Sequence, residues 1–264
     1  MSAAALHQVL LIGFAATSVV VFGVLTLAVK VAYGRHNTAD KPWWWGPGVP
    51  TRAAWLVMEA PASLGFAVIF FLGDRWSDPA PLLLFALWQA HYVQRGFIYP
   101  WLRRVRPGDT TPLLVPVLAF TTNLGVSFLN ASILSWPQVG AFAADYDTGW
   151  LADPRLIVGV LLFGAGFYVN RMADSMLAAL RRPGETGYRI PRGWLYERVS
   201  CPNYLGELVQ WAGWAVATWS PAGAVFMLWS LANLVPRARA NHAWYHDNFP
   251  DYPAHRRAVI PGVI

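Results

Sequence analysis

NRMADSMLAALRRPGETGYRIPRGWLYERVSCPNYLGELVQW, from Asn170 to Trp211, is the stretch whose reading decides the fold. Strongly apolar sequence lies on both sides of it, yet it carries Asp174, Arg181, Arg182, Glu185, Tyr188, Arg189, Arg192, Asn203 and Glu207. A plain connector between two membrane spans has no need of so much ordered polarity. The stretch reads as the wall of a nucleotide-cofactor site at the mouth of a helical membrane bundle.

The rest of the chain supports a bundle. It has 264 residues, 56% of them hydrophobic and 13% charged, whereas soluble domains carry roughly 25% charged residues. Fifteen Trp, fourteen Phe and ten Tyr suit two lipid–water interfaces. Gln8 to Val29 has no charge and is long enough to span. Its uncharged run is too long for a signal peptide, no Lys or Arg precedes it and no small-residue cleavage site follows, so it reads as a retained span. Six further spans are centred near Val57–Leu72, Pro81–Trp101, Pro112–Leu134, Leu156–Leu180, Leu205–Trp219 and Pro221–Val235. No soluble block separates them, which gives one domain over 1–264. The expected fold is an all-α integral membrane protein of seven transmembrane helices.

Charge supplies a check independent of hydropathy. Lys30, Arg35, Lys41 and Arg52 fall in the first loop, Arg103, Arg104 and Arg106 in the third, five Arg in the fifth, and Arg237, Arg239, Arg256 and Arg257 in the tail. The alternate loops hold Arg75 and Arg155 among several Asp. Basic residues mark the cytoplasmic side, so the N-terminus is expected outside and the C-terminus in the cytoplasm. This placement of the net charge of +6 fits membrane orientation and phosphate binding better than nucleic acid. The single Cys201 excludes an internal disulfide, and no CxxC or HExxH pattern occurs, so no metal is expected. The loop KPWWWGPGVP, Lys41 to Pro50, reads as a stiff interfacial anchor.

Polar side chains inside a bilayer are costly and mark sites. Glu59 has no basic residue within one turn of its own helix; it must find a partner or take up a proton, and its isolation favours function over a structural hydrogen bond. His91 and Arg95 share a face. Tyr92 is the stronger candidate there, since a neutral phenol can donate to a carbonyl oxygen. Asn170, Asp174 and Arg181 fall within roughly 40° on a helix, as do Asn203, Glu207 and Trp211; interhelical clamps are the bland alternative. Arg237, Asn241 and Tyr245 are spaced four and four on one face. Basic groups with Asn and Tyr suit a phosphorylated, dinucleotide-sized ligand. Neither GxGxxG nor Walker A is present, so a Rossmann or P-loop site is not indicated.

These pieces together resemble the steroid 5α-reductase family. The matching segments are AYGRH at Ala32–His36, RAAWLVMEAPA at Arg52–Ala62, HYVQRGFIYPWLRRVRP at His91–Pro107, the run from Leu180 to Ser220 with its GYRIP and NYLGE pieces, and DYPAHRRAVIPGVI at Asp251–Ile264. The resemblance implies seven membrane helices, with a reductase-like catalytic region over about 110–264. It implies NADPH as cofactor and reduction of the 4,5 double bond of a 3-oxo-4-ene steroid. It assigns Glu59 and Tyr92 to the 3-keto oxygen. It assigns Tyr33, Arg35, Asn170, Asp174, Arg181, Tyr188, Arg189, Asn203, Glu207, Arg237 and Tyr245 to the cofactor, with Asn241 where animal enzymes carry His. Met58 stands where they carry Gln. The expected partners are a hydrophobic enone and membrane lipid, with a monomer sufficient and no nucleic acid or metal involved. The composition leans bacterial, which would mean the inner membrane; a eukaryotic host would mean the endoplasmic reticulum. The competing readings are a reductase of another lipid enone, an S-adenosylmethionine-dependent methyltransferase of the isoprenylcysteine type, and a transporter; GYRIP and the Glu59–Tyr92 pair oppose the methyltransferase, and the lack of a repeat opposes the transporter.

Overall fold

Seven long helical segments account for most of the described residues, which in this computed structural model are 1–31, 36–37, 41–102, 105, 108–139, 145–180 and 187–264. They are α1 (Ala3–Leu27), α2 (Thr51–Phe71), α3 (Pro79–Val93, continued by a π-helical turn Gln94–Ile98 and a last turn Tyr99–Leu102), α4 (Leu114–Ser135), α5 (Pro154–Ala179), α6 (Pro202–Thr218) and α7 (Pro221–Asn248). Each coincides with one of the seven expected segments. Four of them, α1, α2, α4 and α5, are long and apolar enough to cross a membrane, which makes the chain an integral membrane protein. Of the others, α6 has 17 residues, and α7 carries Arg237 and Arg239 in its second half.

Proline starts four of these helices, where the missing N–H has no partner to lose: Pro79, Pro154, Pro202 and Pro221. The junction of α6 and α7, almost without a loop, is solved locally. Trp219 takes a left-handed conformation (φ 41°), and Ser220 then caps α7 by accepting the Gly223 N–H at 3.1 Å.

Pro61 cannot donate, so α2 widens into a π-helical turn at Pro61–Gly65. Neighbouring helices satisfy its carbonyls, as a buried helix requires. Ser127 donates to the Pro61 carbonyl (3.0 Å), Trp88 Nε1 to Ala62 (2.6 Å) and Gln89 Nε2 to Ser63 (3.0 Å). In the second π-helical turn, in α3, the Arg95 carbonyl accepts from Trp55 Nε1 at 2.9 Å.

The closest pair of helices is α5 and α6. Gly159 and Gly166 on α5 and Gly206 and Gly213 on α6 are each seven residues apart, two turns along one stripe. A Cβ on Gly166 would collide with the Gln210 backbone, and one on Gly206 with the Asn170 backbone. Small residues let two backbones touch, the usual device for packing helices in lipid. The seam carries Asn170 up to Asn203, whose carbonyl accepts the Asn170 side-chain amide at 3.0 Å.

Loops alternate between two ends. At one, Gly48–Pro50 pairs antiparallel with Thr110–Pro112, and the tail lies along 198–201, with Ser200 N donating to the Arg257 carbonyl at 2.8 Å. At the other, Asp74 N bonds the Ser135 carbonyl, and Tyr146 Oη and Trp150 Nε1 cap the last carbonyls of α6 (2.6 and 3.2 Å). An aromatic core fills the bundle towards that second end: Phe66, Phe70, Trp88, Trp211, Trp214 and Phe226 are all buried. The loop 41–50 forms a short 3-10 turn, Trp43–Trp45, with Trp45 buried and Trp43 at 90% exposure.

Candidate active site

A cavity of about 670 Å³ opens at the ribbon end. One wall is the stripe Arg171, Asp174, Ser175 and Ala178 on α5, spaced as a single helical face. Opposite stand Arg237, Asn241 and Tyr245 on α7, four apart each time. Cys201, Asn203 and Tyr204 line it from the start of α6, Tyr188 and Arg189 from the preceding segment, Trp55, Arg95 and Tyr99 from α2 and α3, and Asp109 and Thr110 from the ribbon. With Lys30, five of the described lining side chains are cationic and two are carboxylates, Asp109 and Asp174.

Seven of the expected cofactor residues therefore meet around one space: Asp174, Tyr188, Arg189, Asn203, Arg237, Asn241 and Tyr245. Asn170 and Glu207 are not on its wall; Asn170 clamps α5 to α6, and Glu207 lies behind. Tyr33, Arg35 and Arg181 fall outside the described residues. His36, at the edge of that gap, lies 3.2 Å from Asn241 Oδ1 through Nε2, and Asn37 donates to the Thr110 carbonyl at 2.9 Å.

Behind the cavity is a buried polar network centred on Arg95. Its guanidinium is 3.3 Å from Asp174 Oδ2, and the other Asp174 oxygen accepts from Asn203 Nδ2 at 3.0 Å. It lies over the adjoining aromatic rings of Trp55 and Tyr99, at 4.9 and 4.7 Å. Glu59 and Glu207 both interact electrostatically with Arg95 and with Arg237. Glu59 lies 3.5 Å from Asn123 Nδ2, which also donates to the Met58 carbonyl at 2.7 Å. Gly96 gives it room: a Cβ there would come within 3.1 Å of the Glu59 Cβ. Tyr92 is 5% exposed, with its ring against Trp88 (4.9 Å) and stacked on Trp211 (5.7 Å). It is coupled electrostatically to both Glu59 and Glu207. Neither Glu59 nor Tyr92 lines the cavity; Arg95, which does, is an electrostatic neighbour of both. Both sit beside a π-helical turn, a distortion that recurs at functional sites.

His91 is core rather than cavity: its Nδ1 is 3.0 Å from Gln210 Oε1. Sequence reasoning placed Arg95 beside Tyr92 but gave it no role, and it passed over Arg171 and Ser200, which also line the cavity. Arg171 follows Asn170 at the polar end of α5, a signal that was visible; nothing in the sequence signalled Ser200. The Ser200 hydroxyl lies 2.6 Å from both His242 Nδ1 and the Tyr252 hydroxyl. Arg256, fully buried, donates to the Pro191 carbonyl (3.0 Å) and to Glu197 (3.2 Å), fixing the segment that carries Tyr188 and Arg189. The Gly193 N–H and Arg256 keep the Glu197 carboxyl below its usual range. No group of three His, Cys, Asp or Glu side chains that could hold a metal occurs among the described residues.

The donor set fits a dinucleotide. The cations and amides suit phosphates, and two buried atoms on this network, Arg171 Nη1 and Glu207 Oε2, have no hydrogen-bond partner among the described residues. A profile described as 3-oxo-5-alpha-steroid 4-dehydrogenase matches residues 113–264. The steroid 5-alpha-reductase DET2 of Arabidopsis thaliana is 41% identical over 246 residues, 91% of this chain and 90% of its own length. The 3-oxo-5-alpha-steroid 4-dehydrogenase 1 of Bos taurus is 38% identical, covering 93% of this chain and 92% of its own. The human protein of that name is also 38% identical, over 87% of this chain and 85% of its own.

Proposed function

The chain belongs to the 3-oxo-5-alpha-steroid 4-dehydrogenase family, and on that premise we propose that it reduces the 4,5 double bond of a 3-oxo-4-ene steroid with NADPH. The observation that carries the proposal is the continuity from the cation-lined cavity through Arg95 to Glu59 and Tyr92. We assign the cofactor to the cavity, with Asp174, Tyr188, Arg189, Asn203, Arg237, Asn241 and Tyr245 around it. Tyr33, Arg35 and Arg181 are assigned to the same ligand by resemblance. Asn170 and Glu207 act one layer back, by holding Asn203 in place and by balancing Arg95.

When bound, the nicotinamide supplies the hydride. The chain's own part is to grip, orient and keep dry. Tyr92 donates its O–H to the steroid ketone, and Glu59 either donates a second hydrogen bond or orients the phenol. Charge builds on that oxygen as the β-carbon is reduced, so donors fixed in advance lower the barrier. Trp88 and Trp211 hold the Tyr92 ring at one angle, which preserves the alignment the step needs. Asn123 and Gly96 set the height of Glu59. The α-carbon then takes up a proton. The apolar bundle admits a flat lipid substrate from the bilayer side.

In the membrane the seven helices all span, with the ribbon end cytoplasmic. The gathering of basic loops at that end supports this orientation, and it presents the cavity to a soluble cofactor.

The test is to purify Glu59→Gln and Tyr92→Phe in detergent and confirm that each binds NADP⁺ as the wild type does. Oxidation of NADPH with a 3-oxo-4-ene steroid is then followed. Each variant is expected to lose about 10²-fold or more in kcat, the scale of a lost oxyanion-type donor. Full turnover in both would remove the pair from the chemistry.

A further inference from the structure

We infer that Arg171 is a diphosphate-binding residue of the cofactor cavity, an assignment that rests on the dinucleotide reading above. Arg171 lines the cavity, yet its Nη1 is buried with no hydrogen-bond partner among the described residues. A buried donor on a cation without a partner is costly, unless a ligand supplies the acceptor. The neighbouring carboxylate does not require it: the two Asp174 oxygens already hold Arg95 at 3.3 Å and Asn203 at 3.0 Å. Arg171 therefore shares the charge of Asp174 without a hydrogen bond to it, and its Nη1 is left free to donate to an anion.

Depth selects which anion. Arg171 is the innermost cavity residue of α5, roughly 10 Å further in than Ala178 at 1.5 Å per residue. Its electrostatic neighbours are Asp174, Arg95, Tyr99 and, further in, His91, on the Tyr92 side of the site. Arg189 and Tyr188 stand at the other end, on the segment pinned by Arg256. A nicotinamide ring must approach Tyr92, and the groups joined next to it through one ribose are the two bridging phosphates. The 2′-phosphate, on the adenosine ribose, is carried to the far end. Arg171 thus meets the diphosphate, through the charge-assisted bonds a guanidinium makes to phosphate oxygens.

The experiment is calorimetric titration of wild type, Arg171→Met and Arg171→Lys in detergent with NADP⁺, ADP-ribose and 2′-AMP, alongside melting curves without ligand. Arg171→Met should weaken NADP⁺ and ADP-ribose about 10- to 100-fold, the range for a charged hydrogen bond. It should leave 2′-AMP unchanged and should not lower the melting temperature. Arg171→Lys should recover part of the affinity. Unaltered NADP⁺ binding in Arg171→Met overturns the assignment, as does a parallel loss of 2′-AMP, which would mark the 2′-phosphate, or a fallen melting point with intact affinity, which would mark a structural role. If the wild type binds neither NADP⁺ nor ADP-ribose, it is the dinucleotide reading itself that fails.

Discussion

The two ends of this bundle are built from the same helices and solve opposite problems. Towards the 146–150 end, α3, α6 and α7 contribute Trp88, Trp211, Trp214 and Phe226, with rings 4.6–5.5 Å apart and almost no exposed surface. Trp214 Nε1 is matched there by Asn130 Oδ1 at 2.8 Å. Towards the ribbon end, the continuations of those helices carry Arg95, Asn203, Glu207 and Arg237, and the space between them is left open. Arg171 and Glu207 keep buried atoms without partners there. Close packing sets the helices in place at one end, and the other end spends that rigidity on holding polar groups apart. The α5–α6 glycine seam joins the two, since the contact that permits dense packing at Gly159 and Gly213 also brings Asn170 to Asn203.

The contrast predicts a separation of effects, and the largest test is in the aromatic end. Trp214→Ala removes a fully buried ring and leaves Asn130 Oδ1 without its donor. It should cost about 3–5 kcal/mol in stability, read by thermal unfolding in detergent, with NADP⁺ affinity of the folded protein unchanged. A comparable loss of affinity would mean the two ends are one cooperative site. The middle-sized effect is expected at the mouth. Arg189→Gln, on an exposed side chain lining the cavity, should raise the NADP⁺ dissociation constant about 10-fold, or ~1.4 kcal/mol, with no change in melting temperature. Unchanged binding would take Arg189 off the ligand's path.

The same contrast explains what the sequence disclosed. Apolar runs and N-terminal prolines made the seven helical segments readable, because hydropathy and capping are local properties. Helical spacing put Asp174, Arg237, Asn241 and Tyr245 on faces that do meet at the cavity. What stayed hidden depends on contacts between helices. Asn170 shares its stripe with Asp174 in the sequence, but the glycine seam directs it into α6 instead of the cavity. Arg171 was passed over in the sequence, and only the pairing of Asp174 with Arg95 and Asn203 exposes its unpartnered donor. The two π-helical turns beside Glu59 and Tyr92 followed from no propensity in the chain; Pro61 hinted at one, and Ser127, Trp88 and Gln89, from other helices, satisfy it.

The smallest effect probes whether a charge in the aromatic half serves only stability. Asp153 caps α5, accepting the Arg155 N–H at 2.8 Å and pairing with the Arg155 guanidinium at 2.7 Å, while that guanidinium lies over the Trp150 ring at 4.5 Å. The bonds to Arg155 hold the Asp153 carboxyl down to about 2. A carboxyl whose folded pKa is depressed stabilises fully above its unfolded value, about 3.9, and that stabilisation is lost as pH falls through the folded value. Asp153→Asn retains a capping oxygen and loses the ion pair. It should therefore melt slightly below wild type from pH 7 down to pH 5, with the difference narrowing below about pH 4 and closing near pH 2. NADP⁺ affinity should be untouched throughout. A melting difference that persists at the lowest pH would assign the loss to cap geometry, and a change in affinity would show that the charge at this far end reaches the cavity along α5.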